Sequence, residues 1–137
     1  GRAFLLHDLA ESVPGLEVFG VDVSAYGLAT AKPEVRGRLA RAGAAALPFP
    51  DGSFDFVLSI NTLHNLRCFD LEKALREIER VGRGAKYVCV ESYRNEEEKV
   101  NLLYWQLTCE SFYGPEEWEW WFARCGYRGD HSFIFFE

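Results

Sequence analysis

Three groups of polar residues stand where sheet proteins do chemistry, each just past an apolar run. Ser59, Asn61, Thr62, His64 and Asn65 follow the almost unbroken apolar stretch from Phe54 to Ile60. That stretch predicts a parallel strand buried on both faces. Ligands of open α/β sheets bind just beyond the carboxyl ends of such strands. Asp22 lies at the tip of a second run, Leu16 to Val23. A carboxylate there can accept hydrogen bonds from ribose hydroxyls, and Gly1 precedes it by about the ~20 residues that separate a glycine-rich turn from such an acid. Glu91 and Tyr93 close and follow a third run, Lys86 to Ser92. His64, Glu91 and Tyr93 are the groups that can take a proton from a bound nucleophile. Asp55 reads instead as a capping acid of the turn that enters its strand. Trp118, Trp120 and Trp121 read as core, or as a lid over an apolar pocket, before an aromatic cage.

The elements that position these groups alternate. About Ala3 to Ser12 reads as a helix with Phe4, Leu5, Leu9 and Val13 on one buried stripe, ended by Pro14-Gly15. The strand Leu16 to Val23 follows. Ser24 caps a helix over Ala25 to Ala31 that Pro33 interrupts, and Gly37 to Ala42 leads into a small third strand or loop. Pro48, Pro50 and Asp51-Gly52-Ser53 form the turn into the Phe54 strand. Asp70 caps a helix from Leu71 to Val81, with Leu71, Leu75, Ile78 and Val81 inward and the pairs Glu72–Arg76 and Lys73–Glu77 outward. Gly82-Arg83-Gly84 stops that helix before the Lys86 strand. Beyond Tyr93, an acidic start at Asn95 to Glu98 opens a helix carrying Val100, Leu102, Leu103, Trp105 and Leu107 to about Cys109. A turn over Ser111 to Pro115, a helix from Glu116 to Cys125 and a strand from Ser132 to Glu137 complete the chain. This order predicts an α/β fold, a Rossmann-like doubly wound and mostly parallel sheet.

Composition narrows the function classes. The 137 residues suit one domain, and 48% hydrophobic content excludes a disordered tail. No apolar run approaches the ~18 residues of a membrane span, so no membrane partner is expected. A net charge of −6 argues against a nucleic-acid backbone as main partner. Cys68, Cys89, Cys109 and Cys125 lack paired ligand spacing. Reduced, mostly buried thiols in a cytoplasmic protein are expected, without a metal site.

The chain resembles the class I S-adenosylmethionine-dependent methyltransferases, most closely their small-molecule branch. Val18-Phe19-Gly20-Val21-Asp22-Val23-Ser24 is similar to the family's second strand. Leu47-Pro48-Phe49-Pro50-Asp51-Gly52-Ser53-Phe54-Asp55 is similar to the segment before its fourth strand, and Asn61 to Leu66 to the loop after it. Glu77-Ile78-Glu79-Arg80-Val81 is similar to the helix before its fifth strand. Three features depart from the pattern. The family's first strand and most of its glycine-rich turn should precede Gly1, which reads as an N-terminal truncation. Gly43 stands where an adenine-facing acid is usual. Gly82-Arg83-Gly84-Ala85-Lys86 replaces a Lys-Pro-Gly-Gly turn.

The resemblance implies S-adenosyl-L-methionine as cofactor and methyl transfer to a small molecule, once the missing strand is supplied. Asp22 would hold the ribose with Val23 beside it, Gly43, Ala44 and Ala45 the adenine edge, and Gly1 and Asn61 the amino-acid side. His64, Tyr93 and Glu91 are the candidate bases. Residues 1–92 would form the cofactor-binding part and 93–137 an aromatic-rich substrate or lid part. One alternative keeps the fold without the reaction, as a module that dimerises by completing its broken sheet with a partner's strand. Another is a nicotinamide-dependent reductase, which Asp22 suits equally, although no Tyr-x-x-x-Lys pair occurs.

Overall fold

Helices and strands are interspersed along the chain, and every strand pair is parallel. The computed structural model describes residues 1–137, which fall into two compact units, Gly1–Pro48 and Phe49–Glu137.

The first unit contains α1 (Phe4–Ser12), β1 (Gly20–Asp22), α2 (Ala25–Ala29), α3 (Pro33–Arg36) and β2 (Leu39–Arg41). β1 and β2 pair in parallel, with Gly20 opposite Leu39 and Asp22 opposite Arg41. Of the expected strand from Leu16 to Val23, only these three residues are paired, because the partner strand is itself three residues long. Ser24 caps α2 as expected, its hydroxyl accepting the Gly27 N–H at 3.0 Å. The expected helix to Ala31 stops at Ala29, and Pro33 begins α3 instead of interrupting α2. A ring without an N–H suits the first helical position, where no intrahelical acceptor is waiting.

The α1 stripe is also corrected: Phe4, Leu5 and Val13 are exposed, and the buried residue is His7. Its Nδ1 lies 3.1 Å from Lys32 Nζ. Leu6 rather than Phe4 reaches the sheet, filling space that any side chain at Gly20 would need.

The second unit contains β3 (Phe54–Ile60), a 3-10 turn (Leu63–Asn65), α4 (Cys68–Val81), β4 (Gly82–Ser92), α5 (Glu96–Trp105), α6 (Pro115–Arg124) and β5 (Asp130–Phe135). Its sheet runs β3-β4-β5, with Ile60 opposite Cys89 and Glu91 opposite Ile134. Leu71, Leu75, Ile78 and Val81 of α4 are buried as their spacing requires, along with Val88 and Val90 of β4, Leu102 and Trp118. The ring of Trp118 packs between Tyr113 and Phe122, so it is core, while Trp120 is exposed under Arg124.

Several local expectations give way to tertiary partners. β3 has the expected bounds, yet Phe56 and Ile60 are exposed, so the strand is not buried on both faces as its apolar run predicts. α4 begins at Cys68, which places Asp70 in its first turn and Arg67 at the cap position. Glu72 pairs with Arg76 at 3.0 Å, but Glu77 pairs with Arg80 at 2.7 Å instead of Lys73. Arg80 also reaches the Phe49 carbonyl at 2.8 Å and Asp51 at 2.9 Å, tying the entry turn of β3 to α4. Asp55 does not cap that turn; it pairs with Arg83 at 2.7 Å. β4 starts at Gly82, directly after α4. A Cβ at Gly84 would lie 2.3 Å from the Asp55 carbonyl oxygen, so only glycine lets the two strands approach there.

α5 is capped by Asn95, whose side chain accepts the Glu98 N–H at 2.9 Å, and it ends at Trp105, short of Cys109. No helix is long and apolar enough to cross a membrane.

Candidate functional site

Two groups of candidate residues occupy carboxyl ends of parallel strands, one in each unit. In the first unit, Asp22 ends β1. Its Oδ1 accepts the Ser24 N–H at 2.7 Å and its Oδ2 pairs with the Gly1 amino group. The Asp22 carbonyl accepts the Ala42 N–H at 3.2 Å, which carries the β1–β2 ladder into the turn through Gly43, Ala44 and Ala45. A Cβ on Gly43 would lie 3.7 Å from Val23 Cγ1, so Val23 and the turn adjoin at the strand ends. Val23 is exposed. Gly27 carries no side chain where a Cβ would press on the Gly1 backbone at 3.0 Å. The structure therefore brings together Gly1, Asp22, Val23 and Gly43, with Ala44 and Ala45 in the adjoining turn.

In the second unit, β3 ends at Ile60 and the chain turns sharply at Asn61, a non-glycine residue with a φ of 52°. Its N–H still reaches across to the Cys89 carbonyl at 3.0 Å. Asn61 is exposed, and its carbonyl accepts from Asn65 Nδ2 at 3.4 Å. The turn then folds His64 inward to the end of β4. His64 is 1% exposed and Glu91 3%, and Nε2 of the imidazole lies 3.2 Å from Glu91 Oε2. The Glu91 backbone N–H donates to His64 Nδ1 at 3.4 Å, which leaves the ring proton on Nε2, facing the carboxylate. Oε2 nevertheless has no aligned hydrogen-bond partner, whereas Oε1 accepts from Gln106 Nε2 at 2.8 Å.

Backbone and side chains beyond α5 hold this arrangement. The His64 carbonyl accepts the N–H groups of Glu110 and Ser111, both at 2.9 Å. Thr108 Oγ1 donates to Asn65 Oδ1 at 2.9 Å.

Desolvation sets the electrostatics. It lowers the His64 imidazole to about 4 and raises the Glu91 carboxyl above its ordinary range, the Gln106 hydrogen bond opposing the latter shift. The Cys109 thiol, also buried, rises to about 11, chiefly through desolvation. Near neutral pH the imidazole is uncharged, and Glu91 is the group whose proton affinity has grown. A carboxyl of raised pKa with one unpaired oxygen, steadied by an amide on the other, is suited to accepting a proton.

Tyr93 does not join this pair. It is half-buried under Lys99, 5.3 Å from its ring, and desolvation raises its phenol. The side-chain hydrogen-bond partner of Glu91 is Gln106, not Tyr93. Gln106, Thr108 and Cys109 are missing from the sequence-derived candidates. Their one sequence signal is the polar alternation Gln106-Leu107-Thr108 straight after an apolar helix.

A methyltransferase domain family matches residues 1–90 of the chain. A demethylmenaquinone methyltransferase from Thermus thermophilus is 45% identical over 89 residues, covering 61% of this chain and 40% of the relative. One from Roseiflexus castenholzii is 32% identical over 109 residues, 77% of this chain and 45% of the relative. The chain thus spans less than half the length of these curated relatives. Among solved structures, a SAM dependent methyltransferase from Archaeoglobus fulgidus superimposes with a TM-score of 0.69, covering 92% of this chain and 57% of that one. At 18% identity that likeness bears on the fold alone.

Proposed function

The chain belongs to the methyltransferase domain family, and from that premise we propose that its protein transfers a methyl group from S-adenosyl-L-methionine to a small-molecule acceptor. The observation that carries the cofactor part is Asp22. Its carboxylate sits at the tip of a parallel strand, with Oδ1 fixed by the Ser24 N–H at 2.7 Å. Ribose hydroxyls are donors that a carboxylate so placed can accept, so Asp22 fits the ribose half of the cofactor. Val23 offers an exposed apolar face, and Gly43, Ala44 and Ala45 offer a turn with no charged side chain, which suits an adenine edge. Gly1, whose backbone adjoins Gly27, is proposed for the amino-acid side.

Bound S-adenosylmethionine supplies a sulfonium methyl group open to displacement. The protein's own work in such a transfer is alignment and exclusion of water. An acceptor that must lose a proton needs a base, and Glu91 backed by His64 fills that role better than Tyr93, whose phenol holds its proton more tightly than usual. A small organic acceptor is supported by the relatives, which are named for demethylmenaquinone.

Calorimetric titration of S-adenosylhomocysteine into the 137-residue chain tests the reading. Saturable binding is expected, and Asp22→Ala should weaken it by roughly 1–3 kcal/mol, about 5- to 150-fold, as for loss of a charged acceptor. Equal affinity in the variant would overturn the assignment of Asp22.

A further inference from the structure

α5 and the residues after it present an apolar face that nothing in the chain covers. Val100, Leu103 and Tyr104 share one stripe of the helix, Leu107 lies in the turn just beyond it, and Trp105 borders the stripe, edge-on to Tyr104 at 6.3 Å. All five are exposed, Tyr104 at 80%, Trp105 at 69% and Leu107 at 91%. Glu98 and Leu102, one turn apart, are the residues of this helix that are buried. With ~150–250 Å² for a large aromatic side chain, the five expose on the order of 500–700 Å² together. That matches or exceeds the largest apolar patch of an ordinary monomer.

We propose that this face is the contact between two copies of the chain, α5 packing against α5 about a two-fold axis near Leu103 and Tyr104. Area supports it: two such faces, fully paired, would bury about 1,000–1,400 Å² in all, at the lower edge of the range of stable specific interfaces. Charge supports it as well. Each copy carries −6, so copies repel over most of their surface, yet residues 100–108 include no charged side chain. An antiparallel crossing also moves the exposed Glu96 and Glu97 of one copy toward the far end of the other copy's stripe. Beyond that end lies Glu110, and Arg67, 79% exposed, approaches it loosely at 3.9 Å. The same two glutamates oppose adsorption to an anionic lipid surface. An isologous contact of this kind closes on itself and leaves the stripe satisfied. It would also steady Gln106, which follows α5 directly and donates to Glu91.

Sedimentation equilibrium of the 137-residue chain should return twice its mass of 15.7 kDa. Leu103→Asp combined with Tyr104→Glu should return the single mass, with an unchanged circular dichroism spectrum, since both side chains lie outside the core. Under mild oxidation Tyr104→Cys should give a covalent dimer, whereas Trp120→Cys, exposed on α6, should not. A monomeric parent overturns the proposal, whether or not it floats with lipid vesicles. So does a dimer that survives the charged double variant, because it would be built elsewhere, the open edge of β3 being the obvious place.

Discussion

Burial moves His64 and Glu91 in opposite directions, and their contributions to stability follow opposite courses with pH. The folded imidazole titrates at about 4, the unfolded one at about 6.5. Its contribution is therefore complete above pH 6.5 and is lost as pH falls toward 4, while the unfolded chain takes up a proton that the folded chain refuses. The Glu91 carboxyl is raised, so its contribution is complete below its unfolded value of about 4.5 and is lost as pH rises through its folded value. Where the two windows overlap they offset each other. Glu91→Gln removes one side of that balance, and urea unfolding at pH 7, 6 and 5 should show the variant losing more stability on acidification than the parent. Equal pH dependence in the two proteins would mean that Glu91 does not titrate differently in the folded chain.

At the level of elements, the contact between β3 and β4 rests on one glycine. Gly84→Ala would set a Cβ against the Asp55 carbonyl oxygen, a backbone atom that can move only with its strand. A cost of about 1–3 kcal/mol is expected, as for overpacking in a tight core, read as a lower urea midpoint at unchanged slope. A neutral result would show that β3 shifts freely along its partner. The same pair of strands marks where the sequence could be read and where it could not. The bounds of β3 were legible because Pro50-Asp51-Gly52-Ser53 and Asn61 punctuate a continuous apolar run, and the inward face of α4 because its period repeats over fourteen residues. Exposure of Phe56 and Ile60 was not, since burial depends on the neighbours a strand acquires. Nor was the meeting of His64 with Glu91 and Gln106: both are polar residues at strand ends, but only the β3–β4 register and the return of the chain after α5 put them in contact. Short elements suffered most. The Leu16 to Val23 pattern would suit a longer strand, and three residues of β2 decided its paired length.

For the molecule as a whole, the apolar core is unevenly shared. Ala31 and Val35 are the fully buried hydrophobic side chains of the first unit, whereas the second holds Leu63, Leu71, Leu75, Val81, Val88, Val90, Leu102 and Trp118 among others. Each large buried side chain contributes roughly 1.5–3 kcal/mol, so the two units should open at different free energies. Native-state hydrogen exchange should show the amides of β1 and β2 exchanging well before those of β4. Equal protection would mean that one cooperative transition governs both. If Asp22 and the turn at Gly43 hold the cofactor, its binding energy acts first on the less stable unit. Ligand at 100 times its dissociation constant adds about 2.7 kcal/mol to a unit that binds it only when folded. S-adenosylhomocysteine at that level should therefore slow β1 and β2 exchange about 100-fold in the parent, but only about 2- to 20-fold in Asp22→Ala at the same concentration. Protection gained equally by the variant would detach the stabilisation from the carboxylate at the tip of β1, and with it the placing of the ribose there.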